Sequence, residues 1–157
     1  MNAGAKNERE ENAVIAVACD HGGYALKLEV IKYLEKNGFS YQDFGTDSME
    51  SADYPIFGEK AARAVASGAC GRGLLFCGTG VGISLAANRV HGIRAVVCSE
   101  PYSAEMARRH NNANILCLGG RVVGPGLAEK IVDVFLHTDF EGGRHERRVA
   151  MLDDIKG

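Results

Sequence analysis

From Val14 onward, short apolar or β-branched runs alternate with longer stretches of helical periodicity. Val14–Ala18 is continuously apolar, the pattern of a strand buried on both faces. The turn Asp20-His21-Gly22-Gly23 follows it and leads into a helix. In that helix Leu26, Val30, Tyr33 and Leu34 make an apolar stripe, whereas Lys27, Lys32, Glu35 and Lys36 are read as lying off it. Gly38 supplies the stop. Tyr41–Phe44 predicts a second short strand and residues 45–54 a polar loop, after which Pro55 opens an alanine-rich helix ending near Gly68. Leu74–Cys77 is the third predicted strand, and the glycine turn 78–82 feeds a helix through Ile83, Leu85 and Ala86. Ala95–Cys98 and Ile115–Leu118 read as the last two strands, with a helix over Pro101–His110 between them. Leu127–Leu136 and residues 143–152 are the final helices.

Strands that alternate with helices build βαβ units around a parallel sheet covered on both faces. The pattern therefore predicts a doubly wound, Rossmann-like three-layer α/β/α sandwich with a five-stranded parallel sheet. Residues 13–157 form one domain in this reading, after a disordered polar tail at residues 1–12. Ligands in such folds bind beyond the carboxyl ends of the strands. Two stretches lie there: Cys19-Asp20-His21-Gly22-Gly23 and Cys77-Gly78-Thr79-Gly80-Val81-Gly82.

Composition narrows the function classes. The 157 residues suit one domain, and a formal net charge of -2 carries no basic footprint for nucleic acid or an anionic membrane. The longest strongly apolar run, Val14–Cys19, is far too short to span a bilayer. The first twelve residues lack the apolar stretch of a secretory signal. Five cysteines, an odd number without a CxxC pair, read as reduced thiols of a cytoplasmic protein. No His/Cys spacing suggests zinc, so neither a metal nor another cofactor is expected.

The turn after Cys77 carries the most chemistry. Its alternate glycines let the backbone approach a ligand and aim several N–H groups at one point, beside a helix start that favours anions. Tight strand-to-helix packing is the plainer use of such glycines. Three familiar phosphate sites fail on named residues. A P-loop needs Gly-Lys-Ser/Thr where Val81-Gly82-Ile83 stands, a dinucleotide fingerprint needs G-x-G-x-x-G, and a cysteine phosphatase needs arginine at Ile83. A cysteine at a strand end beside a helix start is where thiolate is favoured, so Cys77 reads as a functional thiol, whereas Cys98 and Cys117 read as core. Thr79 offers a hydroxyl to the same turn or caps the helix. Asp20 and His21 form an adjacent acid–imidazole pair at the end of the first strand. Arg144 and Arg148, four apart, share a helix face; with Glu141 and Glu146 near, they read either as an anion clamp or as a solvated ion-paired face, and Arg121 is similar.

Together these residues resemble the ribose-5-phosphate isomerase B family, which includes the galactose-6-phosphate isomerase subunits. The likeness runs from about Val14 to the C-terminus. It is carried by Cys19–Gly23, Asp53-Tyr54-Pro55, Cys77–Ser84, Ala87-Asn88-Arg89, Gly92–Ala95, Arg109-His110-Asn111, Gly119–Gly124 and Glu141–His145 with Arg148. The resemblance implies metal-independent interconversion of ribose 5-phosphate and ribulose 5-phosphate in the pentose phosphate pathway. It implies Cys77 as the base, with Thr79 and the amides of Gly78, Gly80, Val81 and Gly82 on the enediolate oxygen. Asp20 or His110 would assist ring opening, and Tyr54 and Asn111 would line the sugar site. His21, Arg121, Arg144 and Arg148 would grip the phosphate. Some relatives instead use a glutamate just after the turn; Ile83 and Ser84 stand there, so the cysteine-base type is implied. Cys77 ends a strand at one sheet edge and His110 ends a helix at the other, about 17 Å apart for a five-residue strand. With both in one site, a homodimer with shared sites follows, a tetramer being the larger alternative. Two other readings stay open. One is an isomerase of an aldohexose 6-phosphate, allose or galactose. The other is a nucleotide-sensing module in which Glu100 mimics a ribose-binding acid.

Overall fold

A computed structural model describes residues 13–156, so the tail expected at residues 1–12 lies outside the described residues. In chain order the elements are β1 (Ile15–Cys19), α1 (Tyr24–Lys36), β2 (Tyr41–Asp43), α2 (Tyr54–Ala66), β3 (Arg72–Cys77), α3 (Val81–Ala87), β4 (Ala95–Val97), α4 (Pro101–Asn111), β5 (Ile115–Gly119), α5 (Pro125–His137) and α6 (Arg144–Asp153). The predicted boundaries hold to within one or two residues, and each element has the predicted type. Prolines open α2, α4 and α5, where a missing N–H costs nothing.

All five strands pair in parallel in the order β2-β1-β3-β5-β4. Alternate residues of each strand serve opposite layers. Ile15, Val17, Leu74, Phe76, Leu116 and Leu118 face α1, α4 and α5, whereas Ala16, Ala18, Leu75, Cys77, Ile115 and Cys117 face α2 and α3. The central strands therefore read as continuous apolar runs because both faces are covered. β4 lies at an edge, which shortens it to three residues and leaves Val97 40% exposed; Cys98, expected to end it, lies beyond it and is buried. Helix α6 packs outside the sandwich against α4.

One side chain departs from the pattern expected of its helix. Lys27, read as lying off the apolar stripe, is fully buried (0% exposed). Spacing puts it three residues before Val30 and seven before Leu34, so it stands on the core-facing stripe itself.

Candidate active site

The chain reverses its winding direction between β1 and β3, and the turns that leave these two adjacent strands meet above the sheet. Their approach is close enough that a Cβ on Gly22 would lie 2.9 Å from the Gly78 amide nitrogen. The turn leaving β5 is stitched to the same place, since Gly120 N–H donates to Cys77 O at 2.8 Å and Arg121 N–H to Gly78 O at 3.0 Å. Three strand ends thus converge on Cys77.

Cys77 is buried, and its Sγ accepts the Gly80 amide at 3.1 Å. Gly80 makes this possible with φ of 81°, a conformation that side-chain-bearing residues rarely adopt. Gly80 occupies the N-cap position of α3 but has no side chain to cap with, so among the described residues the only side chain that meets an amide of the first turn there is that of Thr79. The Thr79 hydroxyl is exposed and accepts the Val81 amide at 3.2 Å. Burial raises the other thiols: Cys19 and Cys98 are each pushed up to about 11, and Cys117 is pushed well above its ordinary value. Cys98 and Cys117 are core residues, as expected.

Around this thiol stand the other residues expected at the carboxyl edge. Asp20 is buried and accepts the Gly23 amide at 3.1 Å, which holds the first turn closed. His21 Nδ1 accepts the Ala52 amide at 3.1 Å. An acceptor Nδ1 places the proton of the neutral ring on Nε2. Tyr54 is the first residue of α2, at the end of the expected loop, and its ring covers Gly82, where a Cβ would come within 2.8 Å of it. The Arg121 guanidinium lies over Gly78 in the same way, 3.1 Å from a Cβ placed there.

His110, Asn111, Arg144 and Arg148 gather elsewhere. Helix α4 returns to the amino edge of the sheet, where Asn114 O receives the Gly73 amide at the start of β3. Asn111 is exposed there and lines a groove with Asn88, Arg94, Val96 and Leu152. The His110 ring stacks on His145 of α6, which both arginines influence electrostatically. A single chain therefore divides the expected residues between two sheet edges.

The second cluster contains groups that sequence reasoning passed over. Glu141 is taken by Arg109 at 2.8 Å, and among the described residues neither Arg144 nor Arg148 has an ion-pair partner. That arrangement counts against the solvated ion-paired face. His145 is 7% exposed; its Nε2 lies 3.4 Å from the other Glu141 carboxylate oxygen but makes no hydrogen bond. Its sequence signals are a place in the Glu141–His145 stretch and a position between two arginines on one helix, neither of which gives it a role. Donor atoms of His110, Glu141 and His145 lie within 4.8 Å of one another, the ligand types of many zinc sites. Yet the two rings are parallel, so their lone pairs do not converge, and Arg109, Arg144 and Arg148 surround them with positive charge. The cluster suits an anion better than a cation. Glu100, the acid required by the nucleotide-sensing reading, instead caps α4 by accepting the Ser103 amide with both oxygens, at 3.0 and 3.1 Å.

The Ribose/Galactose Isomerase family model matches residues 15–152. The chain belongs to this family. Ribose-5-phosphate isomerase B of Escherichia coli is 52% identical over 142 residues, covering 90% of this chain and 95% of that protein. The solved structure of Clostridium thermocellum ribose-5-phosphate isomerase B superposes with a TM-score of 0.88 at 56% identity, covering 89% of this chain and 95% of the other. Its Thermotoga maritima counterpart gives 0.89 at 50% identity, over 91% and 99%. The resemblance, the isomerase class and the α/β fold expected from the sequence are borne out. Among the described residues of this isomerase, no helix is long and apolar enough to cross a membrane.

Proposed function

We propose that this isomerase interconverts ribose 5-phosphate and ribulose 5-phosphate within the pentose phosphate pathway, through an enediolate and with no metal. The observation that carries the reading is the convergence of Cys77, Asp20–Gly23 and Arg121 at the β1/β3 switch point in a chain of this family. In the open-chain aldose, Cys77 removes the proton on C2. That electron pair forms the C1–C2 double bond, and the carbonyl pair moves onto O1. Transfer of the O2 proton to O1, with formation of the C2 carbonyl and return of the abstracted proton to C1, gives the ketose. Charge develops on oxygen beside the turn amides of Gly78 and Gly82 and the Thr79 hydroxyl, which the Val81 amide holds in place, and preorganised donors of this kind are usually the largest source of rate. The Gly80 amide is directed at the thiol itself. Asp20 or His110 assists ring opening, and Tyr54 and Asn111 bound the sugar.

His21, Arg121, Arg144 and Arg148 bind the phosphate in this reading. It joins both sheet edges, so the site is shared between two chains of a homodimer. Val81, Leu85 and Val97 support that assembly, because they expose apolar side chains (50%, 61% and 40%) beside the turn. Five unpaired, buried thiols favour the cytoplasm as the compartment. The test is an isomerase assay on ribose, allose and galactose phosphates, with and without exhaustive chelation. Turnover is expected on ribose 5-phosphate in both conditions. Preference for a hexose phosphate, or activity lost to chelation and restored by a divalent cation, overturns the corresponding part.

A further inference from the structure

Lys27 reaches from the first turn of α1 across the inside of the molecule to the chain beyond β2. Its Nζ donates to both Asp43 carboxylate oxygens, at 2.9 and 2.8 Å, and to Thr46 O at 2.6 Å. Asp43 Oδ1 also accepts the Gly45 amide at 2.9 Å. The segment held in this way is laced to the last residue of β1: Cys19 N–H donates to Gly45 O, and Thr46 N–H donates to Cys19 O at 2.7 Å. Asp20 and His21 follow immediately. From Thr46 the loop runs to Ala52, whose amide meets His21 Nδ1, and to Tyr54 over Gly82.

Packing does not require the charge. Apolar side chains in place of the whole Lys27–Asp43 pair would fill the same volume without the desolvation cost of its charges. Replacing a buried pair in this way is often neutral or stabilising, whereas removing one partner alone leaves the other unpaired and destabilises. What the ammonium supplies, and an apolar chain could not, is a three-point tie between the helix that follows the His21 turn and the loop that holds His21 from above.

We infer that Lys27 is a positioning residue for phosphate recognition: it fixes the 43–52 segment so that the Ala52 amide holds His21 with its proton on Nε2, directed as a donor. The inference rests on the proposed reading of His21 as a phosphate ligand. Lys27 touches neither substrate nor the reacting atoms.

The test uses the full chain. Lys27→Met should raise KM for ribose 5-phosphate about tenfold, the loss expected for one well-placed charged contact, with kcat changed less than about threefold. The inhibition constant of inorganic phosphate should rise in parallel. In a His21→Gln background the same substitution should leave KM unchanged, because its route of action is gone. Nitrogen-15 NMR of the His21 ring at alkaline pH should show the single Nε2–H tautomer in the parent and a mixture in Lys27→Met. If Lys27→Met does not fold, Asp43→Asn replaces it, with a smaller KM rise expected that again vanishes beside His21→Gln. A variant with lowered Tm but parental KM and tautomer overturns the inference, as does an equal KM rise with or without His21. If His21→Gln itself leaves KM unchanged, the reading of His21 as a phosphate ligand fails instead.

Discussion

The imidazole of His145 lies flat against that of His110, with ring centroids 4.3 Å apart and planes 10° apart. Burial, and then the neighbouring His110 and Arg144, hold the His145 pKa below its ordinary value; Glu141 opposes them and Arg148 adds to them. The folded chain therefore binds fewer protons here than the unfolded chain does at mildly acid pH. Stability is insensitive to this group above the ordinary histidine pKa of about 6.5, and falls as pH drops below it toward the lowered folded value. Tm should accordingly decline on acidification from pH 7. His145→Phe keeps an aromatic ring in the stack and cannot titrate, so it should flatten that decline. An identical decline in the variant would assign it to other groups.

Cys77 receives the Gly80 amide on its sulfur, whereas Cys19, the thiol that ends the adjacent strand β1, is pushed up to about 11 by burial. Cys77→Ala should lower kcat by about 10²–10⁴-fold, the usual loss of a general base, with KM less affected. Iodoacetamide should inactivate the parent enzyme, and ribose 5-phosphate should protect it. Near-normal turnover in the alanine variant would remove Cys77 from the chemical step.

Among the described residues Arg144 and Arg148 have no ion-pair partner; they flank His145, which stacks on His110, while nearby Glu141 is engaged by Arg109. Each arginine replaced by alanine should raise KM about ten- to a hundredfold, the span of one lost charged hydrogen bond, and disturb kcat less. Steady-state kinetics on ribose 5-phosphate decides this. Unchanged KM in both variants would return the arginines to the solvated surface.

The separation of Cys77 from His110 by the length of the sheet predicts complementation. Inactive Cys77→Ala and inactive His110→Ala chains, mixed in equal amounts, unfolded and refolded together, should regain about a quarter of parental activity. Random pairing makes about half the dimers mixed, each with one intact site of two. Mass spectrometry of tagged chains would establish the exchange. Exchange without recovered activity would mean that each chain builds its site alone.

Much of this fold is legible in local sequence. Val14–Ala18 and Leu74–Cys77 could be recognised as strands because both faces of the central sheet are covered, so no polar position interrupts the run. Cys77 and the Asp20–Gly23 turn could be assigned to the ligand edge because parallel βαβ topology sends every strand end the same way. Lys27 was misread for an instructive reason. Periodicity puts it on the buried stripe, but its charge argues for solvent. Only the approach of Asp43 and Thr46, brought by the pairing of β2 with β1, offers the partners that permit burial.

What the sequence determined by itself, then, is the number, type and order of the elements, and the family through the motifs at their ends. These depend on side-chain spacing within a few residues, which the chain carries locally. Tertiary structure decided the order β2-β1-β3-β5-β4, the contact between the Gly22 and Gly78 turns, the capping task of Glu100 and the engagement of Glu141 by Arg109. It also decided the stacking of His145 on His110. Each of these depends on which distant segments become neighbours, and that is set by how the apolar faces of whole elements are buried together rather than by the residues next in sequence.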